Sequence, residues 1–176
     1  MHKSTADTIS RFTDLLMDAV CMVDADGRFV FVSSACERIF GYAPREMVGM
    51  RMIELVAPAD RERTLAAARA IMGGQPNSRF ENRYIRKDGK IVHIMWSARW
   101  SEADQLRVAV ARDVTASRQA ERMQSTLYAI SEAAHASDDL PALFQRVHRI
   151  IGAMLPAAGF AVALRGEQEE GLRFAY

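Results

Sequence analysis

The sequence predicts an α+β fold, an antiparallel sheet of five strands flanked by helices. Between Phe80 and Thr115, three runs alternate between side-chain classes. They are parted by turn residues, Asp88-Gly89 at the first break and Ser101 to Gln105 at the second, which reads as three antiparallel strands. Upstream, Val20 to Val23 and Phe29 to Val32 flank Asp24-Ala-Asp-Gly27, an Asp-Gly hairpin signal that adds two strands. Around these runs, apolar residues recur at helical spacing.

The first such segment runs from Thr5 to Ala19, where Ile9, Phe12, Leu15, Leu16 and Ala19 share one stripe and Arg11 and Asp18 lie off it. Residues 1–19 are therefore expected to form an amphipathic helix in need of a partner. After the hairpin, Ser33 or Ser34 can cap a short helix through Phe40, because a serine oxygen satisfies an amide left free in the first turn. Gly41 ends it. Pro44 just inside a further helical turn and Gly49 just past it follow the usual asymmetry of helix ends. Pro58 and Asp60 announce a longer helix, with Asp60 as cap, Leu65, Ala68, Ile71 and Met72 on one face, and Gly73-Gly74 as its stop.

Side chains alternate along a strand, so Phe80, Asn82 and Tyr84 share one face of the third strand. Val92, Ile94, Trp96, Ala98 and Trp100 form an almost wholly apolar face on the fourth, opposed by Ile91, His93, Met95, Ser97 and Arg99. One face of this sheet must be buried.

Beyond Thr115 the pattern changes to Ala116, Ala120, Met123, Leu127, Ile130 and Ala134, a heptad spacing. Two readings stand: a coiled coil pairing two chains through Ala120, Met123, Leu127 and Ile130, or an ordinary amphipathic helix lying on a neighbouring domain. Ser137-Asp-Asp-Leu-Pro141 then stops this helix and caps another, whose Leu140, Leu143, Phe144, Val147, Ile151, Met154 and Leu155 form a stripe up to Pro156. Phe160 to Leu164 and Leu172 to Tyr176 read as two strands around a polar turn. Too few residues follow Ser137 to bury that helix and both strands, so more chain is expected downstream.

With 176 residues, 49% of them apolar, the chain can hold one compact domain and something smaller. Its 23 basic and 22 acidic residues nearly cancel and form no block of like charge, which argues against a nucleic-acid or anionic-membrane partner. No apolar run approaches the ~20 residues that span a bilayer, and the first residues lack a signal peptide's apolar core. A cytoplasmic location without direct membrane insertion is expected, with membership of a larger membrane receptor left open. Cys21 and Cys36 lie in apolar surroundings without metal-like spacing, so buried reduced thiols are favoured over a bridge.

This order of elements resembles a PAS domain. The residues that carry the resemblance are Val23-Asp-Ala-Asp-Gly-Arg28, Ala35-Cys-Glu-Arg-Ile-Phe-Gly-Tyr42 with Glu46-Met-Val-Gly49, Arg83-Tyr-Ile-Arg-Lys-Asp-Gly89, and Ala111-Arg-Asp-Val-Thr115. One departure is Ser33, where the family often carries Asn; serine can still bond to backbone in a turn. From about Gln124 the sequence resembles the opening of a GAF domain. The resemblance implies a division into residues 1–19 (N-terminal helix), 20–115 (PAS domain), 116–136 (coiled-coil-like linker helix) and 137–176 (the start of a GAF-like domain).

PAS and GAF domains are sensory and dimerising modules of bacterial signal transduction, commonly upstream of histidine kinases or cyclic-dinucleotide enzymes. The resemblance thus implies a homodimer, a downstream effector in the same polypeptide, and an inward face that can serve as a small-molecule pocket. That face carries Phe80, Asn82, Tyr84, Val92, Ile94, Trp96, Ala109 and Ala111. Alanines opposite aromatic residues leave room that either a ligand or the rings themselves fill. Asn82 discriminates, because a buried amide without protein partners calls for a polar ligand or water. At the junction, Asp113-Val-Thr115 implies signal transmission, with Asp113 or Thr115 capping the outgoing helix or pairing with Arg112 or Arg118.

Chemistry is not expected. By resemblance His93 falls outside the pocket, and haem-binding relatives take their iron ligand from the long helix, where Asp60 to Met72 holds no histidine. Flavin-adduct relatives use a cysteine before that helix, and Gly49 to Pro58 has none. A covalent flavin adduct and haem are therefore not expected, while a non-covalent flavin stays open. His135 is followed by alanine, not by the acidic residue a phospho-accepting helix wants. No phosphate loop, metal-spaced ligand set or activated nucleophile is evident. Two functions remain: a ligand-responsive sensor, and a ligand-free dimerisation and spacer module.

Overall fold

The computed structural model describes residues 12–13, 15–75, 77–136, 139–153, 161–165 and 172–174. The chain divides into two compact units, Met1–Ala116 and Ser117–Tyr176.

The first unit is built on an antiparallel sheet of β1 (Ala19–Asp24), β2 (Phe29–Val32), β3 (Asn77–Ile85), β4 (Ile91–Ser101) and β5 (Leu106–Asp113), in the spatial order β2-β1-β5-β4-β3. The last strand in sequence is thus the middle one in space. It joins the β1–β2 and β3–β4 hairpins through full-length pairings with β1 and β4. Both Asp-Gly turns close as expected: Gly27 and Gly89 take φ of 82° and 81°, the left-handed region that a residue with a Cβ avoids.

Between β2 and β3 the chain folds into α1 (Ala35–Phe40), α2 (Pro44–Met47), α3 (Met52–Leu55), a 3₁₀ turn at Pro58–Asp60, and α4 (Arg61–Met72). Ile39, Phe40, Met47, Leu55, Ala68 and Ile71 from these helices bury against Cys21, Phe29, Tyr84, Val92, Ile94, Ala109 and Ala111 of the sheet. Burial of a large apolar side chain contributes roughly 1.5–3 kcal/mol, so this single face supplies most of the drive to fold. Burial alternates along β5, where Val108 and Val110 point to the other face and are exposed.

Several local expectations change. Ala19 is fully buried and pairs with Ala111, so it opens β1 and does not end a helix; residues 15–18 are turn and bend. Phe12 and Thr13 are helical, and the rest of the expected N-terminal helix lies outside the described residues. Ser33 does not cap α1, because its hydroxyl accepts from the Val20 N–H at 3.0 Å and so ties β2 to β1; Ser34 holds the cap position without a side-chain cap bond. On α4, Leu65 is 40% exposed and Thr64 takes the inward position.

Cys21 and Cys36 are free and fully buried, their sulfurs 3.7 Å apart. Contact with Cys36, and then burial, push the Cys21 thiol well up, which makes it a poor nucleophile.

α5 (Thr115–His135) leaves β5 after a single intervening residue. Of its heptad positions, Ala120, Met123 and Leu127 are exposed and Ile130 is half-buried. In the second unit, α6 (Leu140–Gly152) is capped by Asp139, whose carboxylate accepts from the Ala142 N–H at 2.8 Å. The expected continuation of its stripe through Met154 and Leu155 lies outside the described residues. β6 (Ala163–Arg165) and β7 (Leu172–Phe174) pair antiparallel. Among the described residues, no helix is long and apolar enough to cross a membrane.

Candidate functional site

A small cavity lies between the sheet and α4, walled by Val23, Phe29, Met52, Thr64, Ala67, Ala68, Ile71, Phe80, Asn82, Tyr84, Trp96, Ala98, Arg107 and Ala109. About 40 Å³ of it is open to the centres of water-sized spheres. Since a single water needs roughly 10–15 Å³ by that measure, the space takes a few waters or a small organic molecule.

Of the residues expected to line a pocket, Phe80, Asn82, Tyr84, Trp96 and Ala109 do so, whereas Val92, Ile94 and Ala111 are buried in the core away from it. The register explains the division. α4 stands over the end where β4 finishes and β5 begins, near Ala98 and Ala109, which pair with each other, whereas Val92, Ile94 and Ala111 belong to the opposite end of those strands. Beside the cavity, Phe40, Tyr84 and Trp96 fill space with one another, their ring centres 5.3 Å (Phe40 to Tyr84), 6.3 Å (Phe40 to Trp96) and 5.5 Å (Tyr84 to Trp96) apart. Rings and cavity therefore share the inward face.

Asn82 is only 2% exposed, yet both ends of its amide are matched. Its Oδ1 accepts from Trp96 Nε1 at 2.8 Å, and its Nδ2 donates to Thr64 Oγ1 at 2.9 Å. The Thr64 hydroxyl in turn donates to the Asp60 carbonyl at 2.7 Å. This is why threonine, and not Leu65, occupies the inward position of α4. Asn82 is satisfied by protein and makes no demand for a polar ligand.

Asp60 is likewise not spent as a cap. Its carboxylate accepts from the Arg83 backbone N–H at 2.8 Å and from Arg83 Nε and Nη2, each at 2.9 Å, with Arg63 Nε at 3.3 Å. The Arg83 guanidinium is the main reason the Asp60 carboxyl is held well below the usual carboxylate range; burial opposes it, and the Arg83 N–H and Arg63 add to it. A run of bonded groups thus leads from β4 through β3 to the base of α4.

Arg107 is a further residue of the site: it stands two residues before the inward Ala109 and shares its face. It is 5% exposed, and its Nη2 donates to Met52 Sδ at 2.8 Å. Burial lowers its pKa, with Tyr84 and then Asp24 opposing, but a guanidinium keeps its proton in proteins. Tyr84, 2% exposed, has its phenol pushed well up by burial, then by Cys21, with Arg107 working the other way.

The junction residues meet at the start of α5. Thr115 Oγ1 accepts from the His93 N–H of β4 at 2.9 Å, the Val114 N–H donates to the His93 carbonyl at 2.9 Å, and Asp113 Oδ1 accepts from the Thr115 N–H at 2.9 Å. Asp113 thus closes a turn at the helix start. Arg112 binds Asp18, with Nη2 to Oδ2 at 2.7 Å, and Arg118 reaches Glu121 at 2.6 Å. His135 Nδ1 lies 2.7 Å from the Ser131 carbonyl in the last turn of α5. Among the described residues, no group of three or more His, Cys, Asp or Glu is placed to hold a metal ion.

Residues 29–110 match the family model described as PAS fold. The first unit has the PAS fold. A domain of a sensory box sensor histidine kinase/response regulator from Geobacter sulfurreducens is similar to it at 23% identity, covering 61% of this chain and 93% of that one, with a TM-score of 0.54. The PAS domain of a protein from Colwellia psychrerythraea gives 23% identity, 62% and 97% coverage and a TM-score of 0.55. The PAS domain of an HTR-like protein from Haloarcula marismortui gives 21%, 62% and 91%, and 0.54. Identities this low speak for the shared fold alone. No curated protein matches the chain.

Proposed function

We propose that this chain is the input part of a bacterial signalling protein, in which the PAS domain senses a condition through its interior and passes it to a downstream effector through α5. The observation that carries this reading is the clamp of Thr115 on His93, which ties the first residue of α5 to a strand one residue before Ile94 of the inward face. A change in the pairing of β4 with β5 must be felt where the helix starts. The sensor histidine kinase setting of the Geobacter sulfurreducens domain is in keeping with this role.

The effector in this reading is a histidine kinase or a cyclic-dinucleotide enzyme in the same polypeptide, and the protein works as a cytoplasmic homodimer. Exposed Met123 and Leu127 with half-buried Ile130 offer an apolar seam for a second α5. Residues 137–176 are read as the opening of a GAF-like domain on the strength of sequence resemblance. Catalysis belongs to the effector.

A second reading, a ligand-free dimerisation and spacer module, draws on the protein partners found at both ends of the Asn82 amide and on the rings that share the inward face. Native mass spectrometry of the purified chain separates the two. A dimer carrying a discrete extra mass that is lost on denaturation supports the input reading, and a dimer without added mass, unchanged by cell extract, supports the spacer. A monomer at all concentrations contradicts pairing through α5.

A further inference from the structure

Among the described residues, Arg107 is the only charged side chain on the cavity wall. It is nearly fully buried, and its one hydrogen bond within the described residues goes to a thioether, an uncharged and weak acceptor. No carboxylate of the described residues comes within ion-pair reach of it. Asp24 acts on it only at longer range, and that carboxylate already accepts from the Arg28 N–H at 2.8 Å. A buried cation without a counter-charge is costly, and buried charges are normally paired. Asp60 in the same domain obeys that rule with two arginines. Of the other polar groups on the wall, Asn82, Thr64 and the Trp96 indole are matched to protein partners, and the Tyr84 phenol, its pKa pushed up by burial, is uncharged. What the cavity lacks is one negative charge.

Apart from Arg107, Asn82, Thr64 and the polar tips of Tyr84 and Trp96, the wall is apolar, and the space is small. We propose that the cavity binds a small organic monoanion, a short-chain carboxylate whose oxygens pair with the Arg107 guanidinium and whose apolar tail lies against Ala68, Ile71, Phe80 and Ala98. This rests on the reading of the cavity as the domain's input and adds the chemical class of what enters it. A planar fork of N–H donors suits a carboxylate better than a spherical anion, and the aliphatic wall selects an organic tail over a hydrated ion.

Propionate is the probe, titrated into the ¹⁵N-labelled full chain against sodium chloride at equal ionic strength and against propanol. The Arg107 Nε signal and the Arg107 and Ala109 amides should shift saturably, with a dissociation constant on the order of 1 mM for a ligand this small. Propanol and chloride should not saturate. Arg107→Met, which keeps the bulk, should weaken propionate at least about tenfold. It should leave the protein no less stable in anion-free buffer, because it removes an isolated buried charge. Arg107→Lys should retain part of the response.

Absence of a saturable shift in the wild type up to about 50 mM propionate overturns the proposal without recourse to any variant. So does equal binding by chloride or propanol, or an Arg107→Met protein that binds as well as the wild type. Propionate that binds yet leaves the His93 and Thr115 amides unmoved upholds the anion site and removes the input reading. A neutral molecule found in the cavity of the purified protein does the reverse.

Discussion

The indole N–H of Trp96 on β4 donates to the side-chain oxygen of Asn82 on β3 at 2.8 Å, across the line where the two strands pair. Because the same amide donates on to Thr64 of α4, the sheet and the long helix are joined by directional bonds as well as by apolar packing. A shift of α4 over the sheet must break or re-form them.

Asn82→Leu should therefore cost more than a surface change. It leaves the buried Trp96 N–H without its acceptor, and an unsatisfied buried donor costs about 1–3 kcal/mol. Urea unfolding should show a loss in that range. The double variant with Trp96→Phe should lose less than the sum of the two singles, by about 1 kcal/mol, since the two changes remove one shared bond.

The pairing of Asp60 with Arg83 predicts a pH effect of definite sign. Asp60 has its pKa depressed in the folded state, so its contribution is full above the unfolded value of about 3.9 and is lost as pH falls through the folded value. At neutral pH, Asp60→Asn should be less stable by about 1–2 kcal/mol, a figure kept low because the Arg83 side chain is 43% exposed and screened by water. Below about pH 4 the wild type should lose stability more steeply than the variant, and the gap should narrow. Denaturation curves at a series of acid pH values check this; parallel curves would contradict it.

At the junction, Thr115→Val removes the acceptor of the His93 N–H while keeping the side chain's shape. Hydrogen exchange at His93 should quicken by about tenfold, the equivalent of ~1.4 kcal/mol of local protection. Asp113→Ala should do the same to the Thr115 amide. Unchanged protection at both would mean that neither side chain holds the start of α5.

The β1–β2 hairpin and the β3-β4-β5 run were legible from alternation and turn residues, because strand period and turn chemistry are local properties, whereas the pairing of β1 with β5 that joins them into one sheet is not local and was implied only by the PAS resemblance. Alternation grouped Asn82 with Tyr84 and placed Trp96 on the apolar face of β4; that these faces turn inward was implied by the PAS resemblance, and all three residues are buried. What sequence could not reveal was where polar side chains find partners. Asp60 looks like a cap by position, yet it is drawn to Arg83, which only the folded chain brings close. Thr64 replaces Leu65 on the inward side of α4 because a hydroxyl is needed beneath Asn82. Arg107 lies two residues before Ala109 and so shares its inward register, although its charge by itself would place it outward.

The most direct test of the account is whether the cavity wall speaks to the outgoing helix. Ala109→Val crowds the cavity from β5, four residues before Asp113; Ile39→Val in α1 serves as a control of similar disturbance elsewhere in the core. With the full chain at matched global stability, the account predicts that Ala109→Val changes exchange at the amides of Val114 and Thr115 by about fivefold or more and that Ile39→Val leaves them alone, a difference of about 1 kcal/mol in local protection. If both variants leave these two amides as they are in the wild type, the sheet does not drive the helix, and the domain is a spacer.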